Sequence, residues 1–188
     1  YKDQIKINIG AEVDYIEGFE EEIKNNLNKY GEYLEDSILS VHMIKIEDKY
    51  YCMDFSCEEF EKIVNLLGSV ESVYNLYYET LIKAINSDLG KYKPKRIGHL
   101  NLVRKYNKKF PYDYSDNKKL KEVVKLISDR GYELDYNIAG LFKEDCGETY
   151  ISGYLAELIK QYNIKLVLGS DSHSAKYIDK YEELNEHI

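Results

Sequence analysis

No apolar run in this sequence approaches the ~20 residues that a bilayer-spanning helix needs, so no segment is expected to cross a membrane. Positive charge is also short. With 26 Lys and Arg against 34 Asp and Glu, the net charge is −8 and the pI near 5.1. Such a balance argues against nucleic acid or an anionic membrane as the main partner, while leaving small anionic substrates open, because a metal site can outweigh the global field locally. Cysteine is sparse: Cys52, Cys57 and Cys146 are an odd number with no Cys-x-x-Cys spacing. They read as reduced thiols of a cytoplasmic protein, not as disulfides or zinc ligands. Tyr1-Lys2-Asp3-Gln4 has none of the character of a signal peptide. There is no internal repeat, low-complexity tract or linker, and residues 1–188 are read as one domain.

What is present is an ordinary globular composition, 44% hydrophobic and 32% charged. Ile5, Ile7, Ile9, Ala11 and Val13 alternate with polar residues, the period of a strand. Phe19, Ile23, Leu27 and Tyr30 follow at helical spacing, with Gly31 placed as a left-handed cap. Asp36 to His42 reads as a second strand, and residues 43–55 as a long Tyr-rich connection. Ser56-Cys57-Glu58-Glu59 has capping-box spacing ahead of one helix, and a longer helix starts after Ser69 with Tyr74 and Tyr77 in its packing stripe. Lys91 to Arg96 reads as a solvated basic loop and Arg96–Leu100 as a short strand. Ser115 or Asp116 is expected to cap the next helix, and residues 132–137 form a strand. A helix through Leu155 and Leu158 precedes the strand Leu166–Leu168. A last helix is expected to carry Ile178, Tyr181, Leu184 and Ile188. Strands alternate with helices and hairpin signals are absent, so the sheet should be parallel and the class α/β.

Chemistry-bearing residues gather at the strand ends. In Gly169-Ser170-Asp171-Ser172-His173 the Asp and His are two apart, so in an extended chain they project the same way as ligands for a divalent ion of the Zn, Mn or Fe type. Glu12, His42 and His99 also end strands, whereas His187 is expected to be a bystander. In β/α folds that end of the sheet is where sites form. Buried unpaired carboxylates and imidazoles are costly, so five such donors at one end are hard to explain as packing. With no sulfur ligand among them, a multinuclear hydrolytic site suits the set better than a structural zinc.

Gly10-Ala11-Glu12-Val13-Asp14-Tyr15, Ser40-Val41-His42, Gly98-His99-Leu100 and Gly169-Ser170-Asp171-Ser172-His173 resemble the later motifs of the PHP (polymerase and histidinol phosphatase) superfamily. Within it they look most like the monofunctional histidinol-phosphatases. The resemblance implies a distorted seven-stranded, TIM-like β/α barrel holding two or three divalent metal ions. It implies that Glu12, His42, His99, Asp171 and His173 are ligands, Glu12 as a bridge, and that the activity is hydrolysis of L-histidinol phosphate in histidine biosynthesis. Lys143, or a loop residue such as Arg104, would pair with the phosphate. The family opens with a His-x-His strand that this chain does not contain, so about two β/α units are expected to precede Tyr1. Asp135-Tyr136-Asn137-Ile138-Ala139-Gly140 stands where the family reads Glu-x-Asn-Thr-x-Gly, and Asn101 where it reads Asp. Two other readings stand beside this one: a PHP phosphoesterase of another small phosphate or nucleotide, and a non-catalytic PHP module.

Overall fold

The computed structural model describes residues 4–175 and residue 178. The elements run in the order β1 (Gly10–Asp14), α1 (Glu20–Tyr30), β2 (Asp36–Ser40), β3 (Met43–Ile46), β4 (Lys49–Cys52), α2 (Cys57–Leu67), α3 (Val70–Asn86), β5 (Arg96–Ile97), α4 (Lys118–Asp129), β6 (Glu133–Asn137), α5 (Gly153–Gln161) and β7 (Leu166–Gly169). Five strands form one parallel sheet in the order β1-β2-β5-β6-β7, so each new strand is added beside the one before it. That order, with helices in the crossovers, is the α/β architecture that the alternation predicts.

The register explains why one face is apolar and the other polar. Val13, Leu39, Ile97, Leu134 and Leu166 lie in one row across the five strands. Leu39, Ile97 and Leu134 are buried at the centre, while Leu166 at the edge is 40% exposed. Because side chains alternate along a strand, Glu12, Asp14, Ile38, Ser40, Gly98 and Asp135 share the opposite face. The helices bury their stripes in a continuous core with the apolar face. Tyr74, Tyr77 and Tyr78 of α3 are fully buried there, so the tyrosines of this stripe are packing residues. Among the described residues no helix is long and apolar enough to cross a membrane.

Helix ends follow the local chemistry in part. Ser56 accepts from the Glu59 amide at 3.1 Å and Ser69 from that of Ser72 at 3.1 Å, each satisfying a donor that the first helical turn leaves free. The cap of α4 is Asn117, whose Oδ1 accepts from Leu120 N at 2.9 Å, and not Ser115 or Asp116. Ser115 is turned back onto Asp113 instead. Gly31 is not a left-handed cap: its φ is −64° and it opens a 3-10 turn over Gly31–Tyr33. Its need for glycine is steric, since a Cβ there would sit 2.3 Å from Cβ of Tyr92.

Three further expectations are corrected. The period-two run from Ile5 forms a strand only from Gly10, where β2 begins to pair with it; Ile5, Ile7 and Ile9 are exposed upstream. Residues 43–52 are an antiparallel hairpin, not a plain connection. The stretch Lys91 to Arg96 is not simply solvated. Lys93 donates to the carbonyls of Ala84, Ile85 and Ser87 at the end of α3, at 2.7, 2.8 and 2.7 Å. Arg96 pairs with Asp36 and Glu133. The expected last helix lies outside the described residues, apart from Ile178, and so does His187.

Candidate metal centre

Three of the expected ligands meet. Glu12 projects from the polar face of β1, His42 lies two residues past β2, and His99 two past β5. One ligand atom from each lies within 4.8 Å of the other two. Glu12 Oε1 is 2.9 Å from His99 Nε2 and 3.6 Å from His42 Nε2. The two imidazole rings meet edge to face, with centroids 4.8 Å apart. A carboxylate oxygen and two imidazole nitrogens converging from separate strands form a donor set that suits Zn, Mn or Fe. The set fits a metal in a second respect: His99 is buried, and its Nδ1 has no hydrogen-bond partner among the described residues. That leaves Nε2 as the end of the ring engaged with the cluster.

The backbone is bent to make this meeting possible. β5 ends at Ile97 because Gly98 and His99 leave the strand conformation, His99 with a φ of +23°. Positive φ is costly for a non-glycine residue and is retained where surrounding contacts hold it. Tyr77, buried in α3, donates to the His99 carbonyl at 3.5 Å. Gly98 lies over Ser40, where a Cβ would come within 2.3 Å of Oγ.

The charges are tuned together. The His99 hydrogen bond draws the Glu12 carboxyl down to about 2, against burial and with help from the charges of both imidazoles. Burial works against a proton on His42, but the hydrogen bond and charge of Asp14 outweigh it and raise the pKa. Asp54 and Glu12 add to that effect. Asp54 is in turn held by Lys105, whose Nζ lies 2.9 Å from Oδ2 and 2.5 Å from the Asp54 carbonyl.

Asp171 and His173 are not within this group. They follow the end of β7, Asp171 with a φ of +52°, and the His173 side chain is 89% exposed, its Nδ1 near the Asp171 carbonyl at 3.1 Å. The two therefore do not project from an extended strand as their spacing suggests. Lys143 is exposed. Arg104 is committed elsewhere: its Nε pairs with Glu148, its guanidinium lies 4.5 Å from the centroid of the Tyr114 ring, and its side chain is only 12% exposed. The guanidinium is thus enclosed and paired where sequence reasoning expected a free phosphate fork.

Two residues that the sequence analysis did not single out belong to the site's surroundings. Asp14 holds His42; its spacing of two from Glu12, on one strand, was the signal. Asp135 is buried against the end of β7, and burial raises its pKa, with the Asp171 charge adding to the rise while the Asn137 hydrogen bond and His99 oppose it. A Cβ on Gly169 would meet Asp135 Oδ1 at 1.9 Å. The carboxyl thus occupies the space beside β7 that glycine leaves.

The PHP domain family model matches residues 1–139, the part of the chain that carries Glu12, His42 and His99. The chain belongs to that family. Its relatives narrow the likeness further. It is 44% identical over 179 residues to the histidinol-phosphatase of Bacillus subtilis (strain 168), covering 93% of this chain and 66% of that protein. It is 27% identical over 196 residues to a Schizosaccharomyces pombe (strain 972 / ATCC 24843) protein provisionally named a histidinol-phosphatase, covering 100% of this chain and 59% of that one. A crystal structure of the Listeria monocytogenes protein hisK, provisionally named a histidinol phosphatase, superposes with a TM-score of 0.92 at 36% identity, covering all of this chain and 71% of that one. The chain therefore spans about two thirds of the length of the proteins it matches.

Proposed function

We propose that this chain is the larger part of a metal-dependent phosphomonoesterase that hydrolyses L-histidinol phosphate to L-histidinol and phosphate. The observation that carries the proposal is the convergence of Glu12 Oε1, His42 Nε2 and His99 Nε2 from three strands of a PHP domain. The substrate rests on the likeness to histidinol-phosphatases over 93% of the chain. In the whole protein the sheet closes into a TIM-like barrel forming one PHP domain. Asp171 and His173 complete a centre of two or three divalent ions, and Lys143 supplies the positive charge for the phosphate. Arg104 reaches the phosphate only if it leaves Glu148. The enzyme works in the cytoplasm, in keeping with free Cys52, Cys57 and Cys146.

When bound, a divalent centre supplies Lewis-acid polarisation of the phosphoryl group and acidifies water near neutral pH. The residues of this chain do the rest. Glu12, ionised at all working pH values, places negative charge between two imidazoles, where it would help hold a divalent cation. His42 and His99 would offer ring nitrogens in fixed directions, His42 through Asp14 and His99 through burial and its contact with Glu12. Preorganised charge of this kind does not have to reorient as the reaction proceeds.

The test is a comparison of kcat/KM for L-histidinol phosphate, glycerol phosphate and p-nitrophenyl phosphate in the full-length, metal-loaded protein, with Glu12→Gln as control. Selectivity for histidinol phosphate of about a hundredfold, near 2.7 kcal/mol of differential transition-state binding, is expected. Equal turnover of all three would leave a general PHP phosphoesterase.

A further inference from the structure

The two imidazoles of the cluster are not held alike. His99 is enclosed on all sides, and its Nδ1 has no hydrogen-bond partner among the described residues. His42 is half-buried, with 23% of its side chain exposed, and could in principle turn. Asp14 prevents it. A single oxygen, Asp14 Oδ1, accepts from the His42 backbone N–H at 3.2 Å and lies 2.9 Å from His42 Nδ1. The first contact fixes where the chain stands just past β2, and the second fixes the ring on that chain. A carboxylate oxygen can only accept, so Nδ1 carries a hydrogen, and in the neutral ring the Nε2 lone pair is left to point toward Glu12, 3.6 Å away.

The sheet register makes this possible. Asp14 is the last residue of β1 and pairs with Ser40, two residues before His42. Glu12 stands two residues earlier on the same face. One short strand thus provides both a member of the cluster and the partner that orients a second member on the neighbouring strand.

We infer that Asp14 is a positioning residue for the metal centre, setting the tautomer and direction of the His42 ring from behind, while His99 is set by burial and by its own contact with Glu12. The inference rests on the metal-dependent reading proposed above. A carboxylate behind an imidazole both orients it and makes its free nitrogen a stronger donor, and loss of such a partner commonly weakens metal binding by about 10- to 100-fold. Among the described residues no equivalent carboxylate contact is found at His99 Nδ1, so the dependence should be confined to His42.

The test uses the full-length protein with zinc alone as probe, in competition with a chromophoric chelator. Asp14→Ala should weaken zinc binding by about 10- to 100-fold. In a His42→Ala background, adding Asp14→Ala should change it by less than about twofold, because a residue acting through His42 has nothing left to act on. Asp14→Asn should recover most of the affinity, since its amide oxygen can still accept from Nδ1–H. The 15N spectrum of the metal-free protein, taken where the ring is neutral, should show His42 protonated at Nδ1 in the parent and in Asp14→Asn, and a tautomer mixture in Asp14→Ala. Zinc affinity unchanged in Asp14→Ala would overturn the inference. So would a further tenfold loss in the His42→Ala background, or a parent His42 protonated at Nε2. If Asp14→Ala does not fold, the parent and Asp14→Asn spectra decide. If the parent binds no zinc while His42 shows the Nδ1–H tautomer, the metal-dependent reading has failed and the orienting contact has not.

Discussion

His99 Nε2 lies 2.9 Å from Glu12 Oε1, so the turn after the third strand of the sheet reaches back to the first past His42, which follows the second. The contact joins residues 87 positions apart in sequence. It is also a contact that a bound cation would displace, because the same oxygen and nitrogen are the atoms that would face the ion.

Replacing Glu12 separates the two roles. Glu12→Gln keeps a hydrogen-bond acceptor for His99 but removes the charge. Stability of the metal-free protein should fall by about 1.5–3 kcal/mol at neutral pH, the usual net value of a hydrogen bond to a charged group. Zinc binding should fall by about a hundredfold or more, beyond the loss from removing an outer partner. Urea titration and chelator competition on one sample would read both. A large loss of stability with unchanged zinc affinity would make the cluster a structural contact.

The same pair sets an acid dependence. The folded-state value of Glu12, about 2, lies below its ordinary 4.5. A depressed carboxylate contributes stability that is fully present above about pH 4.5 and is lost as pH falls toward 2. In the metal-free protein, the urea midpoint of the parent should therefore drop more steeply between these values than that of Glu12→Gln. Parallel curves would show that His99 does not stabilise the ionised carboxylate.

How much of this was legible in the sequence depended on the range of the interaction. The strand ends bearing Glu12, His42 and His99 were visible because a short apolar run followed by a polar donor is a local signal. The β3–β4 hairpin was not. Its turn is Glu47-Asp48, and Glu47 takes a φ of +55° without the Asn or Gly that normally marks such a turn. The early strand was read too long because alternation reports a side-chain pattern, whereas strand extent is set by the partner, and β2 begins pairing only at Gly10. The fate of Arg104 was invisible, since Glu148 is 44 residues away and neither residue carries a motif. Asp171 and His173 were read as a strand-end pair, but Asp171 adopts a positive φ, and the spacing rule holds only for extended backbone.

The Arg104–Glu148 pair makes a prediction about the loops around the site. Glu148 Oε1 also accepts from Asn107 Nδ2 at 2.7 Å, so one carboxylate ties residues 104–107 to the segment after β6. Glu148→Ala would leave a largely buried guanidinium without its counter-charge. Breaking a buried ion pair from one side typically costs about 3–5 kcal/mol, and a loss of that order should appear in the urea midpoint. Arg104→Met with Glu148→Ala should recover part of it. If Glu148→Ala costs less than about 1 kcal/mol, the surface value for ion pairs, Arg104 is free enough to serve a phosphate.

The last prediction concerns the sheet's two outer strands. β1 and β7 each pair on one side only among the described residues. Beside β1, Ile5, Ile7 and Ile9 are 66–76% exposed, and on β7 Leu166 and Leu168 are 40% and 46% exposed. Unpaired strand edges flanked by apolar side chains are templates for another chain. Residues 1–188 produced alone should therefore associate at micromolar concentration, and they should bind zinc below one equivalent per site. Leu168→Lys places a charge on the outer strand without touching Glu12, His42 or His99, and should shift sedimentation toward monomer. The full-length protein, in which the proposed barrel closes over both edges, should be indifferent to the state of these edges and should not need that substitution to avoid edge-to-edge association. A monodisperse, fully zinc-loaded 1–188 monomer would show that the two edges are protected without the rest of the barrel.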